Sequence, residues 1–266
     1  MNINASNLIY FSPTRTTKKI LEAIAQSLGV AVVEHGDLTK PDVKPQLQIK
    51  SKDALNIIGA PVYGGRIPVE AAQRIKVLNG NGAIAVIVVV YGNREYEDAL
   101  LELSDLAENA GFKTIAGAAF IGEHSFSTTA TPIAHGRPDM ADIEKAWEFG
   151  RRIREKLCTF HKIDDIPVVA MPGNYPYQEQ KRAAKVVPDT KADICSMCKA
   201  CADVCPTAAI SFRDGVITDP ASCILCCACV KNCTLGAREL ADTCMKETIE
   251  WLRKHCKERK EPQTYI

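Results

Sequence analysis

The chain contains two cysteine-rich runs, ICSMCKACADVCPTAAI at Ile194–Ile210 and CILCCACVKNC at Cys223–Cys233. In each run, gaps of two, two and three residues separate four cysteines. Because the same spacing occurs twice, chance is a poor explanation, and the runs predict two equivalent metal-binding units. Their cysteines are Cys195, Cys198, Cys201 and Cys205 in the first run and Cys223, Cys226, Cys229 and Cys233 in the second.

This spacing is that of cysteines that ligate 4Fe–4S cubes. Three thiolates two residues apart can face three irons of one cube, while the fourth lies on the following turn and points away. Each cube therefore takes its last ligand from the other run. A zinc knuckle would instead show CxxC pairs with histidines, and a disulfide scaffold would suit a secreted protein. The prediction is one cluster on Cys195, Cys198, Cys201 and Cys233 and another on Cys223, Cys226, Cys229 and Cys205.

The two runs resemble the bacterial-type ferredoxins that hold two 4Fe–4S clusters, down to CPTAAI at Cys205–Ile210. The resemblance implies a small α+β bacterial ferredoxin-like domain. One departure is Thr234, which follows Cys233 where the family has a proline that shapes the turn without ligating. The other is Cys227, an extra cysteine between two predicted ligands. We interpret Cys227 as a buried thiol that packs against a cube. An alternative ligand and an S–H donor that tunes the cluster are the other interpretations.

The composition is that of a globular protein in a reducing compartment. A length of 266 residues suggests two domains, and 46% hydrophobic and 24% charged residues are ordinary values. A net charge of +1 gives no reason to expect nucleic acid or an anionic membrane as partner. Twelve cysteines without a secretory leader predict a cytoplasmic protein with metal ligands, from an organism that tolerates little oxygen. The longest apolar run, Ala83–Tyr91, is too short for membrane insertion.

The N-terminal part alternates strand and helix patterns, which predicts an open α/β sheet with right-handed crossovers. The run Ala83–Tyr91 is typical of a central parallel strand that is buried on both faces. Helices are expected from about Ile20 to Leu28, after Pro68, from about Glu95 to Ala110 and from Asp139 to Thr159. Strands are expected at Leu8–Phe11, Ala31–Glu34, Leu55–Ala60, Ala83–Tyr91 and Lys113–Ile121.

The turn after the first strand reads FSPTRTTKKI, Phe11–Ile20. A hydroxyl-rich turn before a helix favours a phosphate, because backbone N–H groups and the helix dipole face the anion. The turn is neither a Walker A loop nor a dinucleotide fingerprint. By itself it is a weak signal, since Ser and Thr are also ordinary helix caps.

Two further loops follow predicted strands: APVYGGRIP at Ala60–Pro68 and YGNREYED at Tyr91–Asp98. In a sheet of order 2-1-3-4-5, both lie beside the first turn at the carboxyl ends of the strands, where ligands bind. Each contains glycine and tyrosine, which suits a flat isoalloxazine ring that needs close backbone and an aromatic face.

These three loops resemble the FMN-binding loops of flavodoxins. The resemblance implies an α/β flavodoxin-like fold with a parallel five-stranded sheet, and an FMN with Tyr96 stacked on the flavin and Tyr63 or its neighbours on the other side. Arg15 stands where the family has glycine. Taken singly, each of Tyr63, Tyr91 and Tyr96 is interpreted as an ordinary rim residue, whereas the three loops together favour FMN. An α/β domain that has lost its flavin stays an alternative. The implied contacts are Ser12, Thr14, Arg15, Thr16 and Thr17 for the phosphate and Pro61, Val62, Tyr63, Gly64, Tyr91, Gly92, Asn93 and Tyr96 for the ring.

The remaining segments complete the organisation of the chain. Phe120–Pro138 has no periodicity, and its His124, Phe126 and His135 either contact flavin or substrate or are packed loop residues. A proline-containing stretch from Asp164 to Asp193 is typical of a linker. The predicted division is a flavodoxin-like FMN domain at 1–160, a linker at 161–190, a two-cluster ferredoxin domain at 191–241 and a C-terminal helix at 242–266.

An FMN domain followed by a two-cluster domain resembles the flavodoxin–ferredoxin fusion proteins of anaerobes (EFR-type). The resemblance implies an electron-transfer flavo-iron–sulfur protein that passes electrons between two 4Fe–4S clusters and FMN and on to a redox partner protein. Two alternatives stay open: an FMN-dependent reductase of a small substrate, which only Phe120–Pro138 favours, and a redox sensor or docking module. The direction of electron flow, the potentials, catalytic residues and a homo-oligomer are open as well.

Overall fold

The computed structural model describes residues 3–42, 54–180 and 186–266. Part of the predicted linker, 181–185, therefore lies outside the described residues. The first part of the chain contains, in order, β1 (Ala5–Tyr10), α1 (Thr16–Leu28), β2 (Ala31–Asp37), β3 (Ala54–Pro61), α2 (Val69–Lys76), β4 (Ile84–Tyr91), α3 (Ala99–Asn109), β5 (Lys113–Ile121) and α4 (Met140–Thr159).

The second part begins with a short 3₁₀ turn and, apart from α7, has much shorter elements. Two-stranded antiparallel pairs form between β6 and β9 and between β7 and β8. The elements are the 3₁₀ turn Ile163–Asp165, β6 (Asp189–Thr190), α5 (Ala200–Asp203), β7 (Ile210–Phe212), β8 (Val216–Thr218), α6 (Ala228–Lys231), β9 (Arg238–Glu239), α7 (Thr243–His255) and β10 (Gln263–Tyr265).

The main sheet confirms the flavodoxin-like order. Its first five strands are parallel and lie in the order β2-β1-β3-β4-β5. The prediction of five strands is incomplete, because β10 pairs antiparallel with β5 and makes six. An edge strand presents unpaired N–H and C=O groups that a returning segment can satisfy. With only three residues and no apolar run, β10 leaves no strand signal in the sequence.

The sheet is buried on both faces, as its sequence requires. All eight residues of β3 and all eight of β4 are buried, so these strands read as continuous rather than alternating apolar runs. One core cluster joins the sheet to α2 and α3, and a second joins it to α1 and α4. The result is a three-layer α/β/α arrangement in which the loops that follow β1, β3, β4 and β5 all lie at the carboxyl edge of the sheet.

Local sequence signals explain several helix boundaries. Helix α1 ends at Gly29, which adopts the left-handed conformation at the C-cap. Helix α4 begins with a capping box between Asp139 and Asp142. Helix α3 begins at Ala99 rather than near Glu95, because Glu97 has a positive φ that no helix admits.

The C-terminal segment packs back onto the first part. Ile249 and Leu252 of α7 share a small core with Phe126 and Ile133 of the Phe120–Pro138 segment. Among the described residues, every helix is too short or too polar to serve as a membrane span. The division of the chain at residues 160, 190 and 241 stays a prediction.

Candidate iron–sulfur and flavin site

The two cysteine runs have the same backbone conformation at matching positions. Left-handed residues occur between the first and second cysteine of each run, directly before each short helix, and three residues after each fourth cysteine. Residues other than glycine rarely adopt this backbone conformation, so its recurrence at matching positions shows that both loops follow the same backbone path. The pairs are Met197 and Leu225, Lys199 and Cys227, and Ala208 and Gly236.

The four cysteines predicted for the first cluster line one cavity. Cys198 is exposed at its mouth, whereas Cys201 is buried. The backbone N–H of Ala237 donates to Sγ of Cys233 over 3.2 Å. The pKa of the Cys198 thiol is lowered, first by a hydrogen bond from the Ala200 backbone and then by Ser196. Thiolates are the form that ligates iron, so this donor set fits a bound cluster.

The four cysteines predicted for the second cluster also lie within electrostatic reach of one another. Burial raises the pKa of the Cys226 thiol, and the charges of Cys229, Cys205 and Cys223 raise it further. Sγ of Cys205 accepts a hydrogen bond from the backbone N–H of Ala209 over 3.3 Å, which repeats the Cys233 contact. Thiols with so little access to solvent lose their protons only beside a positive charge, and the irons of a metal cluster supply that charge.

All twelve cysteines of the chain are free. Within the part of the chain that the structure describes, no three His, Cys, Asp or Glu side chains converge as the ligands of a single ion would. Cluster ligands instead surround a four-iron group.

The predicted phosphate turn has an open helix N-terminus. Arg15, the N-cap of α1, adopts the left-handed conformation without a side-chain cap, and the first turn contains no acid. Oγ of Ser12 accepts the Lys18 N–H over 3.1 Å, and the Ser12 N–H donates to Oγ1 of Thr39. The buried Thr17 hydroxyl has no partner among the described residues. An orphaned hydroxyl beside free helix amides is what a bound phosphate would satisfy. Thr14 and Thr16 are half-buried beside it.

The loop after β3 is held close to the cysteine runs. Val62 donates its N–H to the Val90 carbonyl over 3.0 Å, directly after Pro61, the last residue of β3. The ring of Tyr63 is half-buried, and Gly64, which follows it, is exposed with a positive φ. The pKa of Tyr63 is raised far above its ordinary value, first by burial of its hydroxyl and then by Cys226 and Cys227. The hydroxyl of Tyr63, in this predicted flavin loop, is therefore within electrostatic reach of the second cysteine run.

The loop after β4 is covered by the C-terminal segment. Nδ2 of the buried Asn93 donates to the carbonyls of Cys256 and Glu258 over 2.7 and 2.8 Å. The buried ring of Tyr96 lies 5.5 Å from that of Tyr91, and its hydroxyl contacts the Tyr265 hydroxyl at 2.8 Å. Stacking of Tyr96 on a flavin stays a prediction, since the structure gives this ring partners in the core and in β10. No signal in the sequence predicts the coverage by the tail.

The Phe120–Pro138 segment brings His124 against the same loop. A Cβ atom at Gly92 would lie 2.3 Å from Cδ2 of His124, so glycine is required there. Nδ1 of His124 accepts the Phe126 N–H over 3.1 Å. Burial lowers the pKa of His124 to about 4, and Lys231 and Arg94 act in the same direction. His124 is therefore a neutral imidazole, whereas His135 is half-exposed and lies 3.6 Å from Glu123.

Contacts between the two cysteine runs and the first part of the chain fix the two parts together. Nζ of Lys231 lies 2.6 Å from Oε1 of Glu123 and 3.1 Å from the Ser127 carbonyl. Arg74 donates to the Pro206 carbonyl over 2.7 Å. Ile224 packs against the core cluster that joins the sheet to α2 and α3. The cysteine runs thus lie at the carboxyl edge of the sheet.

Comparison with known proteins assigns the cysteine-rich part. Residues 190–211 match the family described as the 4Fe-4S binding domain. This part is a ferredoxin-type domain. No curated protein matches the chain. The flavodoxin-like assignment of the first part depends on the strand order of the chain itself, described above.

Solved structures with similarity to the chain include flavodoxins and a larger oxidoreductase. A flavodoxin from the Archaea is 16% identical, with 58% of this chain and 99% of that chain covered and a TM-score of 0.40. Flavodoxin 2 from Bacillus cereus is 17% identical, covering 57% and 99%, with a TM-score of 0.39. The rubredoxin oxygen:oxidoreductase from Desulfovibrio gigas is 20% identical, covering 59% and 37%, with a TM-score of 0.43.

Proposed function

We propose that this protein transfers electrons between two 4Fe–4S clusters and an FMN and exchanges them with a redox partner protein. The observation that carries the proposal is that the cysteine runs pack at the carboxyl edge of the sheet, beside the predicted flavin loops, through the contacts of Lys231 with Glu123 and of Arg74 with the Pro206 carbonyl. A 4Fe–4S domain on a flavodoxin-like sheet supports electron transfer that involves iron–sulfur and flavin.

The proposed ligand sets are those that the sequence predicts. Cys195, Cys198, Cys201 and Cys233 would hold the first cluster, and Cys223, Cys226, Cys229 and Cys205 the second. The cavity that the first set lines and the electrostatic coupling within the second set support this division. When bound, the cubes would supply one-electron steps at low potential and the flavin would accept or give one or two electrons.

The proposed flavin contacts come from the three loops at the carboxyl edge. Ser12 and Thr14–Thr17 would bind the phosphate through hydroxyls and the amides at the start of α1. The loops at Pro61–Gly64 and Tyr91–Tyr96 would flank the ring. Hydrogen bonds fix these loops in place: Val62 donates to Val90 of β4, and Asn93 donates to carbonyls of the C-terminal tail.

Exposure suggests the order of the route. Cys198 of the first set is exposed, whereas every cysteine of the second set is buried or half-buried. The first cluster would therefore be the entry for a partner protein, and the second would face the flavin. We retain the division into 1–160, 161–190, 191–241 and 242–266 as part of the proposal.

The structure favours a carrier over a reductase. The Phe120–Pro138 segment is the one feature that suggested a covered substrate pocket. Its Phe126 and Ile133 pack on α7, and its Glu123 and Ser127 bind Lys231. The segment therefore joins the two parts of the molecule, which accounts for its length without a substrate.

Cofactor analysis of anaerobically purified protein tests the proposal. We expect one FMN and about eight irons with matching sulfide per chain, the load of two cubes. About four irons would overturn the second cluster, and full iron without flavin would overturn the FMN assignment. Rapid electron exchange with a carrier protein, without turnover of quinones or nicotinamides, would separate the carrier from a reductase.

A further inference from the structure

Arg238 is a buried guanidinium between the two cysteine runs. Only 4% of the residue is exposed, and it lines the cavity of the first cysteine set. One terminal nitrogen donates to Oγ1 of Thr190, and the other donates to Oγ1 of Thr218 over 2.7 Å and lies 3.8 Å from Sγ of Cys229. Arg238 thus touches a ligand of the second cluster and borders the site of the first.

The positive charge of Arg238 lacks a counter-ion on the polypeptide that the structure describes. No carboxylate in residues 186–266, or elsewhere in the described ranges, forms an ion pair with it; the neighbouring Glu239 pairs with Lys191 over 2.6 Å. In addition, the Nε–H of Arg238 is buried without a hydrogen-bond partner. A buried, unpaired charge is costly, so a stable protein compensates it. The available negative charge is that of the thiolate-bound clusters themselves.

The two cysteine runs differ at the position of Arg238. Arg238 is the fifth residue after Cys233, and the fifth residue after Cys205 is Ile210. Ile210 is buried in an apolar cluster with Cys201 and Cys229. The fold therefore accepts an aliphatic side chain at this position, and packing alone does not require a cation in the second run.

We propose that Arg238 is a shared counter-ion of both clusters and raises the reduction potential of each. This inference depends on the two-cluster assignment of the proposed function. When a cluster is reduced, one electron enters and no bond is formed or broken, so the site gains one negative charge. A fixed cation stabilises the reduced form more than the oxidised form, and net charge and hydrogen bonds to sulfur are known to set such potentials.

The test is an anaerobic, EPR-monitored redox titration of the full chain, with iron and sulfide measured on the same samples. The variants are R238Q and R238M, which remove the charge, and R238K, which retains it. The control is Lys191→Gln, which removes a half-exposed charge next to β6. We expect R238Q and R238M to retain iron and to disfavour reduction of both clusters at least tenfold, about 59 mV for one electron. R238K and the control should stay near wild type.

Each other outcome is decisive. R238Q and R238M with full iron and potentials shifted no further than the Lys191 control would overturn the inference. If both lose iron, R238K decides: wild-type potentials support a counter-ion, whereas lowered potentials or lost iron overturn it. A wild-type protein with fewer than about eight irons would instead defeat the two-cluster assignment, so the two failures are distinguishable.

Discussion

At the scale of single residues, the hydroxyl of Thr17 offers the sharpest test of the phosphate site. Both Thr17 and Thr114 bury a hydroxyl without a partner among the described residues, but only Thr17 lies in the predicted phosphate turn. We expect Thr17→Val to weaken FMN binding about fivefold, the effect of one hydrogen bond of about 1 kcal/mol. The measurement is flavin fluorescence during titration of FMN into flavin-depleted protein.

The matched control is Thr114→Val, which has the same change of shape at the start of β5. Removing an unsatisfied hydroxyl there should leave FMN affinity unchanged and stability equal or higher. Equal affinities for the two variants would remove Thr17 from the phosphate site.

His124 should make the stability of the protein depend on pH. Burial holds its pKa at about 4 in the folded chain, against an ordinary value of 6.5, with Lys231 and Arg94 acting in the same direction. The folded state binds the proton less readily than the unfolded state. The stability that neutral His124 contributes is therefore complete above pH 6.5 and is lost as the pH falls from 6.5 to about 4.

We expect the anaerobic thermal unfolding midpoint of the wild type to fall between pH 7 and pH 5. The fall should be smaller in His124→Asn, whose amide oxygen can still accept the Phe126 N–H. His135→Asn is the control, since this histidine of the same segment is 52% exposed. Three parallel curves would contradict the assignment of the pH dependence to His124.

At the scale of elements, the pattern of apolar residues predicts the strands and helices that pack in the core. It does not predict an element that is held only by backbone hydrogen bonds at a sheet edge. Strands such as β4 are readable because continuous β-branched runs have no stable place but a buried sheet. Strand β10 is not readable, because backbone groups at the edge of β5 accept almost any three residues. The cysteine spacing predicts ligands because those residue types at those intervals are required by the cluster. The packing of the C-terminal tail over Asn93 and Tyr96 depends on backbone carbonyls and on a hydroxyl far away in the sequence, and neither leaves a sequence pattern.

Within the segment that leads from α4 towards β6, two backbone N–H groups are bound by one buried carboxylate, that of Asp98. Asp98 is 3% exposed and accepts hydrogen bonds from the backbone N–H groups of Asn174 and Gln178, each over 2.8 Å. In Asp98→Asn, the new amide NH₂ group would face one of these backbone N–H donors, and the charge-assisted hydrogen bonds, worth about 2 kcal/mol each, would be lost. We expect faster limited proteolysis within residues 171–180. Asp164→Asn, an exposed change ahead of this segment, is the control, and equal cleavage of the two variants would contradict the prediction.

At the scale of the whole molecule, the main consequence of the fold is that the cysteine runs and the flavin loops share one edge of the sheet. The contacts of Lys231 with Glu123 and of Arg74 with Pro206 hold this arrangement. Because both predicted cofactor sites lie on one chain, transfer between them should be intramolecular, at an effective concentration far above that of the protein.

Reduction of the flavin after rapid mixing with a one-electron reductant should therefore show a first-order phase whose rate is independent of protein concentration. Lys231→Gln removes the ion pair with Glu123, whose side chains are about one-fifth exposed and which is worth about 1 kcal/mol. The fraction of molecules in which the cysteine runs are packed on the sheet, and with it the transfer rate, should therefore fall several-fold at most. Salt should slow the wild type more than this variant, because the pair is screened. Lys246→Gln, an exposed change on α7, is the control. A rate that rises in proportion to protein concentration would show that electrons pass between chains, and the shared edge would then have no role in transfer.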